Sequence, residues 1–145
     1  MKIVLQRVSR ASVTVDNNVV GSIDRGYVVL LGVGAGDGKS KVERLVDKIQ
    51  KLRIFPDENG KTNLSIADVG GGILVISQFT LYADCRKGNR PGFTDAADPA
   101  LAEELYEYFI KYATGKFIKV ERGIFGADMK VELTNDGPFT VLLED

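Results

Sequence analysis

The sequence predicts a single α/β domain in which a mixed β-sheet is layered against helices, and three observations lead there. The chain has 145 residues, the size of one domain, and a chain of that length buries roughly two-thirds of the surface its unfolded form exposes. Its apolar periodicity passes from strand-like to helical and back in the order ββββ-α-β-α-βββ, a pattern that mixes hairpins with crossovers and so combines antiparallel with parallel pairing. Within it, Gly70-Gly71-Gly72 leads into the apolar run Ile73 to Phe79, which suits a strand buried on both faces.

Four strands are predicted first, over Lys2 to Val8, Ala11 to Asp16, Val19 to Ile23 and Tyr27 to Val33. All are rich in Val and Ile, and Asp16-Asn17-Asn18 and Asp24-Arg25-Gly26 supply turn chemistry between them. From Ser40 the period becomes helical. Val42, Leu45, Val46, Ile49 and Leu52 form one stripe, and charged residues such as Glu43, Arg44 and Lys48 occupy the solvated remainder. Pro56-Asp57-Glu58-Asn59-Gly60 breaks the chain before the strand at Ile73. Asp84 to Asp98 is polar and aperiodic, a surface loop of the sort that often carries function. Asp98-Pro99 then starts a second helix that runs to Ala113, with Leu101, Leu105, Tyr108, Phe109 and Tyr112 on one side. Strands over Phe117 to Ile124, Met129 to Leu133 and Phe139 to Leu143 complete the domain, 1–145.

Composition excludes several chemistries. There is no histidine, so no Ser-His or Cys-His pair, no imidazole base and no imidazole metal ligand. The single cysteine, Cys85, permits neither an internal disulfide nor a thiolate zinc cluster. The formal charge of −1 argues against wholesale wrapping of a nucleic acid, although a local RNA contact is compatible with it. No apolar stretch approaches the ~20 residues of a membrane span, and Arg7 and Arg10 interrupt any leader-like start, so a soluble cytoplasmic protein is expected.

Gly32-Val33-Gly34-Ala35-Gly36-Asp37-Gly38-Lys39-Ser40 sits between a strand and a helix, where a phosphate-binding loop would be, but its glycines miss the required spacing. A flexible turn and helix start is the better reading. Cys85 has no histidine to deprotonate it, and its neighbours Arg86 and Lys87 only lower its pKa. Thr80, just past the buried strand, offers a hydroxyl without an obvious base.

Two segments are more specific: Ser77-Gln78-Phe79-Thr80-Leu81-Tyr82-Ala83-Asp84 and Asn135-Asp136-Gly137-Pro138-Phe139-Thr140. Both resemble the signatures of the D-aminoacyl-tRNA deacylases. Further similarity is collinear, through Gln6 to Val13, Leu52 to Phe55, Asp84 to Pro91 and Phe125 to Met129. The resemblance implies a three-layer β/β/α fold, a homodimer, a tRNA 3′ aminoacyl end as partner rather than DNA or a membrane, and no cofactor or metal. It implies that Ser77, Gln78, Phe79 and Thr80 form the floor of an ester-cleaving pocket, Thr80 projecting into it. Gly137-Pro138 is expected to form a hairpin, with a cis peptide bond, that closes the partner's pocket and rejects L-amino acids.

On this reading the backbone N–H groups of Ser77, Gln78 and Phe79 are candidates to stabilise an oxyanion, and the ribose hydroxyl beside the ester supplies the assistance that no side-chain base provides. A rigid Gly-Pro backbone near the substrate α-carbon clashes with an L-side chain and accepts hydrogen, so glycyl-tRNA becomes a second substrate. Arg86, Lys87 and Arg90 are candidate phosphate contacts, with a solvated loop as the alternative. Phe125 and Met129 line a pocket or belong to the core. Phe139 and Gly92 depart from the family pattern, which commonly has valine and serine there. The rival functions are a catalytically silent tRNA-binding module on the same fold and a nucleotide-binding protein using Gly32 to Ser40.

Overall fold

The computed structural model describes residues 1–145. Its strands are β1 (Lys2–Val15), β2 (Asn18–Ile23), β3 (Gly26–Gly32), β4 (Phe55–Pro56), β5 (Thr62–Leu64), β6 (Gly72–Ser77), β7 (Val120–Arg122) and β8 (Lys130–Glu144). Helices α1 (Lys39–Lys51) and α2 (Pro99–Ala113) and a 3₁₀ turn, Phe79–Tyr82, complete it. The main sheet runs β2-β1-β3-β6-β7, and β8 pairs along β1. β3–β6 and β6–β7 are parallel and the other pairs antiparallel, the mixture expected from the order of elements.

Two expected strands, Lys2 to Val8 and Ala11 to Asp16, are one. Between them the β1–β8 register passes from Val8↔Asn135 to Arg10↔Thr134, so Ser9 is the extra residue of a bulge. One extra residue reverses the parity of a strand, which is why Ala11 and Val13 share a face with Val8. That face packs against Ile23, Val28, Leu74 and Ile76, sheet upon sheet. Ile3 and Leu5 face the other way, onto α1 through Val42, Leu45, Val46 and Ile49 and onto α2 through Leu105, Tyr106 and Phe109. The result is a mixed α/β domain whose sheet folds over on itself and nearly closes. β2 reaches β7 because residue 21 is glycine: a Cβ there would stand 2.7 Å from the Arg122 carbonyl oxygen.

The helical stripe of α1 holds as read. α2 is capped as its sequence indicates, with Asp98 Oδ1 accepting from the N–H groups of Ala100 and Leu101, each at 3.1 Å, a cap worth about 1 kcal/mol. The strand expected over Phe117 to Ile124 shrinks to the three residues of β7. The short β4–β5 hairpin, around the predicted break at Pro56 to Gly60, escaped the periodicity analysis because strands of two and three residues carry no period.

The glycine-rich segment before α1 is tied down by Asp37. Its carboxylate, 3% exposed, accepts from the Met1 ammonium (2.7 Å), Lys41 Nζ (2.9 Å) and Gly34 N–H (2.7 Å). Burial opposes ionisation of Asp37, but these three donors outweigh it and hold its carboxyl below the usual range. A group with a depressed folded pKa stabilises the fold above its unfolded pKa, and loses that contribution as pH falls through the folded value. Asp37→Asn is therefore expected to cost about 3 kcal/mol at pH 7. The gap from wild type in denaturant unfolding should narrow as pH falls through the depressed folded value, where the wild-type carboxyl also becomes neutral. A gap that is constant with pH would refute the charge-based account.

Candidate active site

β3 and β6 end side by side, Leu31 opposite Ser77, and the chain beyond β6 tightens into the 3₁₀ turn. Here a cavity of about 490 Å³ opens, floored by Ile76, Ser77, Gln78 and Phe79 and walled by Pro99 and Ala102 of α2 and by Phe125 to Ala127, Met129 and Val131. A more polar groove of about 580 Å³, around Arg10, Asp24, Lys119 and Glu132, lies elsewhere on the sheet and includes no residue of Ser77 to Asp84 or Asn135 to Thr140. The apolar cavity, lined by Ser77, Gln78 and Phe79, is the better small-group site.

The N–H of Gln78 donates to the Leu31 carbonyl at 2.8 Å and extends the β3–β6 ladder, so that expected oxyanion donor is committed to the sheet. Parallel pairing alternates, so the N–H of Ser77 turns to the opposite side, toward β7. The final bond on that side is from Gly123 N–H to Val75 O, at 3.0 Å. Ser77 N–H thus faces the side on which β7 has stopped, and Ser77 itself borders the cavity. Thr80 is exposed on the 3₁₀ turn rather than in the cavity lining, and its Oγ1 accepts from Gln78 Nε2 at 2.6 Å. No carboxylate or amine hydrogen-bonds to that hydroxyl.

Tyr106 supports the floor from beneath. Its hydroxyl stands 3.0 Å from the carbonyls of both Val75 and Gly123, and its ring packs against Phe125 with centroids 5.9 Å apart. Burial pushes its pKa up to about 12, offset in part by Arg122, so it remains a neutral donor. Arg122 in turn pairs with Glu107. Tyr106→Phe keeps the ring on Phe125 and is expected to lose about 1 kcal/mol in denaturant unfolding. It is also expected to raise KM more than it lowers kcat, because the lost hydroxyl frees the Gly123 carbonyl, two residues before the Phe125 wall, and touches no atom of Ser77. A fall in kcat at unchanged KM would contradict this placement.

Gly137-Pro138 lies elsewhere. β8 does not turn back there as the expected hairpin; it continues as one strand, with Asp136 to Phe139 bulging opposite Arg7 between the rungs Gln6↔Thr140 and Val8↔Asn135. The two expected strands around it are therefore one, because β1 is long enough to pair with both. The Gly137-Pro138 bond is cis, and both residues are exposed. Arg7 opposes Tyr27 and Tyr27 opposes Ile73, so Gly137-Pro138 is separated from Ser77 by four residues along the strands, about 13 Å, and by three strand spacings, about 14 Å across. A chain does not bring its own Gly-Pro to its own Ser77.

A family model described as D-Tyr-tRNA(Tyr) deacylase matches residues 4–144. The chain belongs to this family. It is 58% identical over 144 residues to the D-aminoacyl-tRNA deacylase of Clostridioides difficile (strain 630), covering 99% of this chain and 97% of that one. The D-aminoacyl-tRNA deacylase of Koribacter versatilis (strain Ellin345) gives the same figures: 58% over 144 residues, 99% and 97%. Among solved structures, the c-Myc DNA Unwinding Element Binding Protein superposes with a TM-score of 0.94 at 42% identity, covering 100% of this chain and 99% of that one. A probable eukaryotic D-amino acid tRNA deacylase superposes with a TM-score of 0.86, covering 98% of this chain and 97% of that one; at 17% identity that likeness shows the fold. The chain is thus an enzyme of the deacylase family, whose hydrolysis acts on an ester.

Within the deacylase fold, Arg7 is a residue whose part the sequence did not reveal. Its side chain is largely buried. Its guanidinium donates to the carbonyls of Asp136 (2.9 Å) and Ile54 (2.5 Å) and lies 4.8 Å from the centroid of Phe139, so it holds the Gly-Pro bulge from below. The unusual Phe139 stacks on this cation and lies outside the Ser77 cavity. Phe125 and Met129, expected to line a pocket or fill the core, line the cavity. Arg86 is bound to Asp84 at 2.8 Å, whereas Lys87 and Arg90 extend into solvent. Cys85 is exposed. No cluster of three or more His, Cys, Asp or Glu side chains converges in a metal-binding arrangement, and no helix is long and apolar enough to cross a membrane.

Proposed function

We propose that this protein hydrolyses the ester between a D-amino acid and the 3′ end of tRNA, and that it acts as a homodimer in which each cavity is completed by Gly137-Pro138 of the other copy. The observation that carries the reading is the cavity at the end of β6, floored by Ser77, Gln78 and Phe79, in a chain of the deacylase family. The aminoacyl ester enters the cavity with its carbonyl toward the Ser77 edge, where a backbone donor stabilises the oxyanion of the attack. Water adds to the carbonyl carbon, the carbon–oxygen bond to ribose breaks, and the water proton passes to the ribose oxygen through the neighbouring ribose hydroxyl. Support for this assistance is the lack of histidine and of any base hydrogen-bonded to Thr80.

The distance between Gly137-Pro138 and Ser77 within one chain supports contribution of the Gly-Pro segment from a second copy. Its backbone there leaves no room for a side chain on the L-face of the α-carbon and tolerates hydrogen, so D-aminoacyl-tRNA and glycyl-tRNA are cleaved and L-aminoacyl-tRNA is spared. The test is hydrolysis of D-tyrosyl-tRNA, L-tyrosyl-tRNA and glycyl-tRNA. Cleavage of the first and last alone is expected; binding of all three without cleavage would establish the silent-module alternative.

The donor set also carries a prediction. With no histidine, one exposed cysteine and no converging carboxylates, deacylation is expected to withstand EDTA within about twofold. The assay uses tRNA folded with spermidine. Loss of activity restored by zinc or magnesium would refute a metal-independent reaction.

A further inference from the structure

Phe79, at the end of the cavity floor, is paired with an aromatic ring outside the cavity lining, Phe93, to which the hydrolytic site gives no part. Phe79 is 54% exposed and Phe93 36%, yet their rings meet edge to face, with centroids 4.9 Å apart at 62°. Exposure of two packed phenyl rings is unfavourable in water, and the chain around Phe93 holds its ring in place. On one side, Gly92 and Asp84 exchange both backbone hydrogen bonds, at 2.8 and 2.9 Å. On the other, Asp95 O accepts from Ala35 N–H (3.3 Å) and Ala97 N–H donates to Val33 O (3.0 Å). The loop closed by the Asp84–Gly92 pair displays the solvent-exposed cations Lys87 and Arg90, while Arg86 is neutralised by Asp84.

We propose, resting on the deacylase reading above, that the Phe79–Phe93 pair is a stacking subsite for the unpaired base that precedes the terminal adenosine of the tRNA, with Lys87 and Arg90 on the adjoining phosphates. Fixed aromatic faces beside unpaired cations are the combination that binds single-stranded nucleic acid. An amino-acid side chain would match the rings but leave the cations without partners. The location fits, because the aminoacyl group enters the cavity floored by Ser77 and the polynucleotide must leave past its mouth.

The test compares two non-cleavable probes bound to the full-length protein: a D-aminoacyl-adenosine amide, and the same amide extended at its 5′ side by two cytidines. The extension is expected to tighten binding on the order of tenfold. Phe93→Leu should lose most of that gain while binding the short probe as wild type does. Replacing the cytidine next to adenosine with an abasic ribose should remove the gain from wild type and cost Phe93→Leu nothing more. Lys87→Ala with Arg90→Ala should flatten the salt dependence of the long probe only.

The proposal is overturned if the extension gives no gain, if Phe93→Leu keeps the gain, or if it weakens both probes equally. In each case the short probe still binds wild type, and the deacylase reading stands. Failure of the short probe to bind wild type, with no cleavage of D-aminoacyl-tRNA, would instead remove that reading.

Discussion

Single-turnover cleavage of a D-aminoacyl-tRNA ending in 2′-deoxyadenosine is expected to be at least about 100-fold slower than that of the normal substrate at saturating enzyme, with little change in affinity. The missing hydroxyl acts in the transition state, so its loss falls on turnover. Thr80→Ala is expected to cost less than about tenfold, because the Thr80 hydroxyl is exposed, engaged by Gln78 Nε2 at 2.6 Å and supplied with no base. What remains in Thr80→Ala is the cavity, the Ser77 N–H and the substrate's own hydroxyl. Equal rates for the two substrates, with Thr80→Ala abolishing cleavage of both, would overturn RNA assistance and make Thr80 the nucleophile.

A heterodimer of two inactive chains is expected to recover activity from a background at least about 100-fold below wild type. One chain carries Ala127→Trp, which fills the cavity; the other carries Pro138→Asp at an exposed position remote from its own cavity. Each homodimer then has two defective sites. In the heterodimer, the site with an open cavity receives an intact Gly137-Pro138 from the other chain, so up to half of the wild-type activity per site pair returns. Verified heterodimers without rescue would show that Gly137-Pro138 does not complete a neighbouring cavity, as would full activity in a monomer.

Much of the fold was legible because its determinants are local. The stripe Val42, Leu45, Val46, Ile49 specifies one face of α1 regardless of its partner, and Asp98-Pro99 specifies the start of α2. The features misread depend on pairing. Ser9 looks like a break between strands, yet β8 accommodates it as a bulge; Asp136 to Phe139 looks like a turn, yet β1 continues past it on both sides. Whether a local irregularity ends a strand is decided by the length of the strand beside it, which no local pattern records.

The site divides in the same way. By itself, the sequence determined which chemistry is unavailable, since the absence of histidine holds in any fold, and it marked Ser77 to Thr80 and Gly137-Pro138 as the segments to examine. Only the tertiary structure decided what each residue faces. It committed the Gln78 N–H to Leu31, turned the Ser77 N–H to the side where β7 ends, placed Thr80 outside the lining, buried Arg7 beneath the Gly-Pro bulge and separated that bulge from its own chain's cavity. The physical reason is that composition and periodicity are properties of the chain alone. The direction of a backbone donor is set by strand register, and the neighbours of a side chain are set by contacts between residues far apart in sequence.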